Sequence, residues 1–82
     1  MMTIIIYQNN YTKTFQNIHK DRFEYSDDIT NIHTFFIKYL RQKNIYINRG
    51  DIKYTKLSYG EELIYFHRKS KIEYQLITFI VD

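Results

Sequence analysis

Apolar residues recur along the chain with two different periods, and each change of period marks a new element. Residues 3–8 carry the unbroken run Ile4, Ile5, Ile6 and Tyr7, which suits a strand covered on both faces and placed centrally in a sheet. Asn9-Asn10 is a turn signal, because Asn tolerates left-handed backbone angles. Over 11–25 the apolar positions Tyr11, Phe15, Ile18, Phe23 and Tyr25 are spaced by polar ones, and His19-Lys20-Asp21-Arg22 is the most polar stretch. This segment reads as two strands joined by that stretch, with a short helix over 12–19 as the competing reading.

The period then becomes helical. Ser26, Asp27 and Asp28 can each cap a helix by accepting from an unpaired backbone N–H, so a helix is expected over 28–43. With successive side chains about 100° apart, Ile29, Ile32, Phe35, Phe36, Tyr39 and Leu40 share one stripe, while Thr30, Thr34, Lys38 and Arg41 face away. The acidic pair at the start and Lys38, Arg41 and Lys43 near the end both suit the helix dipole. Asn44 is a candidate left-handed residue at the C-terminus. Beyond it, 45–47 is apolar, 48–51 (Asn-Arg-Gly-Asp) is a turn, 52–57 alternates, and Ser58-Tyr59-Gly60 is the next turn. Residues 61–67 and 71–81 are separated by Arg68-Lys69-Ser70, a polar loop of hairpin length. The expected fold is α+β: one amphipathic helix packed on an antiparallel sheet, in the order β-(ββ)-α-β-β-β, as one domain spanning 1–82.

Composition sharpens this picture. The chain has 82 residues, enough for one hydrophobic core and too few for two. Fourteen Ile and fifteen aromatics with no Ala and no Trp require a core of large, largely β-branched side chains. The absence of Cys excludes disulfides and thiolate metal sites. The apolar N-terminal run is much shorter than the roughly 20 residues of a membrane span, and no positive region precedes it. No membrane association, no cofactor and a cytoplasmic location are therefore expected.

Charge is unevenly distributed. Between Lys38 and Lys71 nine Lys or Arg face only Asp51, Glu61 and Glu62, a net of +6, and the rest of the chain sums to −3. Tyrosines interleave with these cations, which nominates Lys53, Tyr54, Lys56, Tyr59, Tyr65, His67, Arg68, Lys69 and Lys71 as a partner-binding set. Tyr and Arg are the residue types that anchor protein interfaces. The same pattern could serve a nucleic-acid surface, with cations on phosphates and Tyr stacking on unpaired bases. Net charge is only +3, and no recognition motif for nucleic acid is visible. His19, His33 and His67 are scattered and lack metal-site spacing; partial burial of His33 beside Ile37 is expected. Glu61 and Glu62 are adjacent on a strand, face opposite sides and cannot act as a pair.

Tyr65, His67, Arg68 and Lys69 supply a base and phosphate stabilisers, the minimum for cleaving RNA. In size and charge the chain is similar to ribonuclease toxins of the RelE type, but it departs from them where two helices should follow the first strand. The last strand has apolar residues on both phases of its alternation (Leu76, Ile77, Phe79, Ile80, Val81), which suggests a homodimer through the C-terminal strand. Ile, Lys, Asn, Tyr and Phe, all encoded by A/T-rich codons, make up a little over half of the chain. In size, this composition, the lack of Cys and Pro, and a helix on an antiparallel sheet, it resembles small phage or mobile-element inhibitors of host machinery, anti-CRISPR proteins among them. That resemblance implies a non-enzymatic inhibitor of a host protein or nucleoprotein target in the host cytoplasm. It carries over no catalytic or metal residue.

Overall fold

The computed structural model describes residues 1–10, 16–27 and 29–80, and in the segment 16–18 the backbone only. Five strands and one helix occur in the order β1 (Met2–Asn10), β2 (Gln16–Tyr25), α1 (Ile32–Arg41), β3 (Lys53–Lys56), β4 (Glu61–His67) and β5 (Ile72–Ile80), with a 3-10 turn at Arg49–Asp51. The strands form one antiparallel sheet in the order β2-β1-β5-β4-β3. The α+β expectation of one helix on an antiparallel sheet holds.

Within the sheet, directly paired residues share a face. Met2, Ile4 and Ile6 share one face of β1; Ile4 and Ile6 lie beside Thr78 and Leu76 of β5, and Leu76 lies beside Leu63 of β4. All are nearly inaccessible to solvent, and Ile32, Phe36 and Leu40, one turn apart on α1, complete the core with Ile45, Ile52 and Tyr74. The helix also reaches the edge of the sheet through aromatic edge-to-face contacts, Phe35 with Phe23 and Tyr25, and Tyr39 with Phe23. Of the stripe read from the sequence, Ile32, Phe35, Phe36, Tyr39 and Leu40 are the residues that pack from the helix.

Several boundaries differ from expectation. The helix begins at Ile32, capped by Asn31, whose side chain accepts from the Thr34 N–H at 3.0 Å. Ser26, Asp27, Ile29 and Thr30 instead belong to the passage from the edge strand β2 toward the far side, where His33 sits on Tyr54 of β3; Asp28, also expected as a cap, lies outside the described residues. β2 and β3 are the two edges of the sheet, four strand spacings of ~4.8 Å apart, and that distance must be bridged. Ile29, tied by its N–H to Met2 Sδ, belongs to that crossing, and no acidic residue stands in the first turn.

The C-terminal end of the helix behaves as expected. Asn44 has φ of 62°, and the bonds Ile45 N–H to Leu40 O and Asn44 N–H to Arg41 O close a Schellman motif over the buried pair Leu40 and Ile45.

Asn9-Asn10 continues β1 instead of turning, with a register shift against β2 between Gln8 and Asn9. His19-Lys20-Asp21-Arg22 lies inside a single strand, not between two. β2 is an edge strand, where alternating charge discourages unwanted pairing, and Phe23 and Tyr25 face the helix while Arg22 and Glu24 face away. The other parts of 11–25, residues 11–15, lie outside the described residues. The run in β1 is covered on one face only: Ile4 and Ile6 are buried, whereas Ile5 and Tyr7 are half-buried on the opposite face.

Candidate functional site

The nine residues nominated from the sequence do not form one surface. Tyr54 and Lys56 lie on the helix side of β3, Lys53 on the opposite face, and Tyr59 in the β3–β4 turn, where it stacks on Phe79 with ring centroids 5.0 Å apart. Tyr65 and His67 lie on the helix side of β4, and Arg68, Lys69 and Lys71 occupy the β4–β5 turn. Two clefts bring parts of this set together.

The first, at the β4–β5 turn, arises because β3 is short. It pairs with Glu61–Ile64 of β4, so among the described residues no strand pairs with the outer edge of β4 from Tyr65 to His67. A cleft of about 580 Å³ opens there, lined by Tyr46, Ile47, Asp51, Tyr65, Phe66, His67, Arg68 and Lys69. Four of the nominated residues therefore meet. Tyr46, at 72% exposure, and Phe66, at 42%, are among the exposed large apolar side chains. Tyr65 Oη and His67 Nδ1 are 3.0 Å apart. Burial raises the Tyr65 pKa, and the nearby Asp51 carboxylate raises it further. The hydroxyl stays protonated and available as a donor at neutral pH. Lys71 turns the chain with φ of 60°, and its N–H bonds to His67 O.

Sequence reasoning missed Tyr46 and Phe66. Tyr46 sits between Ile45, which is buried, and Ile47, which is half-buried, so the alternation did mark it as outward-facing.

The second cleft, of about 670 Å³, lies between the start of α1 and β3–β4 and is lined by Thr30, Asn31, Ile32, His33, Arg49, Tyr54 and Glu61. His33 was expected to lie against Ile37. Its partial burial holds, and the ring also stacks on that of Tyr54, 5.6 Å between centroids, because the helix begins over β3. Desolvation is the main cause holding its pKa below the usual 6.5, with the Arg49 charge acting in the same direction, so the imidazole is neutral at pH 7. Tyr54 Oη donates to Glu61 Oε2 at 2.7 Å, and that bond raises the Tyr54 pKa. Glu62 points to the other face, where it accepts from Gln75 Nε2, so the two adjacent glutamates are separated as expected.

Among the described residues no group of three or more His, Asp or Glu is placed to hold a metal ion. No described helix is long and apolar enough to cross a membrane. β5 lies between β1 and β4, so its edges are occupied and edge-to-edge pairing through the C-terminal strand is closed; Val81 lies outside the described residues. Comparisons with protein-family models, with curated proteins and with solved structures found no match to this chain.

Proposed function

We propose that this is a small non-enzymatic binding protein, an inhibitor or adaptor, that seats an extended acidic segment of a protein target in the cleft beside the β4–β5 turn. The observation that carries this reading is the outer edge of β4 at Tyr65–His67, with which no strand pairs among the described residues, with exposed Phe66 on it and Tyr46, Arg68 and Lys69 beside it. A partner strand added to such an edge gains main-chain hydrogen bonds, while flanking side chains select its sequence. Aromatics supply contact area at small entropic cost, and Arg can hold a carboxylate with two parallel bonds. A phage or mobile-element inhibitor of host machinery fits this mode of action.

A second reading, a nucleic-acid binder, is favoured by the same cleft, where Arg68 and Lys69 stand near exposed rings that a base could stack on. The two separate experimentally. Tagged protein is used to capture partners from a host lysate with and without nuclease, and the retained complex is challenged with salt. A protein partner retained after nuclease, surviving a rise from ~50 to ~200 mM salt and lost with Phe66→Ser and with Arg68→Glu, supports the first reading. Capture that needs nucleic acid and falls by orders of magnitude over that salt range overturns it in favour of the second.

A further inference from the structure

The face of the sheet opposite α1 is not crossed by any described element, and its central rank of side chains is electrostatically two-sided. Register places Arg22 beside Ile5, Ile5 beside Ile77, and Ile77 beside Glu62, giving a row that reads cation, apolar, apolar, anion across β2, β1, β5 and β4. We propose that this face is a self-complementary docking surface for a second copy of the chain, forming a two-fold dimer in which the two sheets pack face to face.

The argument is one of symmetry. A two-fold axis lying along the strands and passing between β1 and β5 keeps each rank opposite the same rank of the partner but exchanges its two ends. Ile5 then meets Ile77 of the second copy, and Arg22 meets Glu62, twice per dimer. In the neighbouring ranks the operation sets Lys20 opposite Ile64, Tyr7 opposite Gln75 and Thr3 opposite Phe79, so no like charges are opposed. Arg22 is at present held by Glu24 at 2.8 Å, but both side chains are more than half exposed, and an ion pair of that kind is readily exchanged. Aligned packing of two twisted antiparallel sheets is a common arrangement.

Size sets the strength. Five strands at ~4.8 Å spacing and about seven paired residues at ~3.3 Å give a face of roughly 500–600 Å² in projection. That lies at the lower end of what stable interfaces bury, about 800 Å² per partner. A face of that size suits a weak, reversible dimer rather than an obligate one.

The test is sedimentation equilibrium of the purified full chain at about 50 mM salt, where screening is weak. Wild type should associate reversibly to a dimer. Arg22→Glu and Glu62→Arg, both at surface positions, should each weaken it at least tenfold by setting like charges opposite one another twice. Mixing the two single variants restores opposite charge at both contacts, so the mixture should associate within about threefold of wild type. A wild type that stays monomeric to about 1 mM would overturn the proposal, as would a protein partner that occupies this face while the pure chain remains monomeric. Association indifferent to the single changes, or unrestored by mixing, overturns it equally.

Discussion

The two faces of the sheet are built from adjacent residues of the same strands and are put to different uses. On the covered face Ile4, Ile6, Leu63, Leu76 and Thr78 are inaccessible to solvent and meet Ile32, Phe36 and Leu40 of the helix. One residue further along each strand, Ile5, Ile64 and Ile77 are half-buried with no described element above them, and Phe79 is half-buried against the Tyr59 ring. Alternation alone makes this separation, since a strand points successive side chains to opposite sides. Removing a buried side chain costs both its transfer free energy and a cavity, whereas a half-exposed one loses only part of the first. Stability should therefore be concentrated on one face, leaving the other free to vary with the needs of a partner.

The largest expected effect falls at the join between the two halves of the sheet. Gly60 lies so close to β5 that a Cβ would stand 1.9 Å from the Thr78 carbonyl oxygen, and the next residue, Glu61, donates its N–H to Thr78 Oγ1. Gly60→Ala must push β5 and the β3–β4 turn apart, and a loss of about 3 kcal/mol or more is expected in urea unfolding. If the loss were under ~1 kcal/mol, the close packing of that turn on the covered face would be wrong.

A smaller effect belongs to the edge of the covered face, where Tyr39 Oη donates to Asp21. That bond is the largest cause holding the Asp21 pKa below its ordinary 3.8, with His19, 2.9 Å away, assisting. The folded pKa is depressed, so this stabilisation is present above the unfolded value and is lost as pH falls through the folded one. Tyr39→Phe should cost about 1 kcal/mol at pH 7. The gap between variant and wild type should close below pH 3.8. The Tyr39 pKa is itself raised well above 10, first by burial and then by Asp21, so the phenol remains a donor into the alkaline range.

The smallest effect lies at the turn. Lys71 holds a left-handed backbone at φ of 60°, which costs a side chain about 1 kcal/mol relative to glycine. Lys71→Gly should therefore leave the protein equally or up to ~1 kcal/mol more stable, while removing one cation from the turn next to the proposed partner site. A clear destabilisation would mean that the lysine side chain supports the covered face.

Much of the covered face was legible in the sequence because it depends on local periodicity. Ile32, Phe36 and Leu40 announce the helix by recurring every four residues, and Asn44 announces its end by tolerating a backbone most residues avoid. β4 has the expected bounds and β5 is close to them for the same reason: alternation flanked by turn residues. The helix start was not legible. Ser26, Asp27 and Asn31 can all cap, and only the distance from β2 to the place over β3 decides among them.

β2 was misjudged because a charged edge strand and a polar turn have the same composition, and position in the sheet tells them apart. The candidate site was half legible. Tyr65, His67, Arg68 and Lys69 converge, but Lys53 faces away from Tyr54 and Lys56, since consecutive residues of a strand cannot share a face, and Tyr59 lies in the turn beyond. The cleft itself exists because β3 stops four residues into β4, a matter of register that no single segment encodes.

The division of labour between the faces is tested most directly by urea unfolding of Leu76→Ala and Ile77→Ala in dilute solution. These neighbours on β5 differ chiefly in the side to which they point. The account expects Leu76→Ala to cost about 3 kcal/mol or more and Ile77→Ala about 1 kcal/mol. Equal losses at the two positions would contradict it.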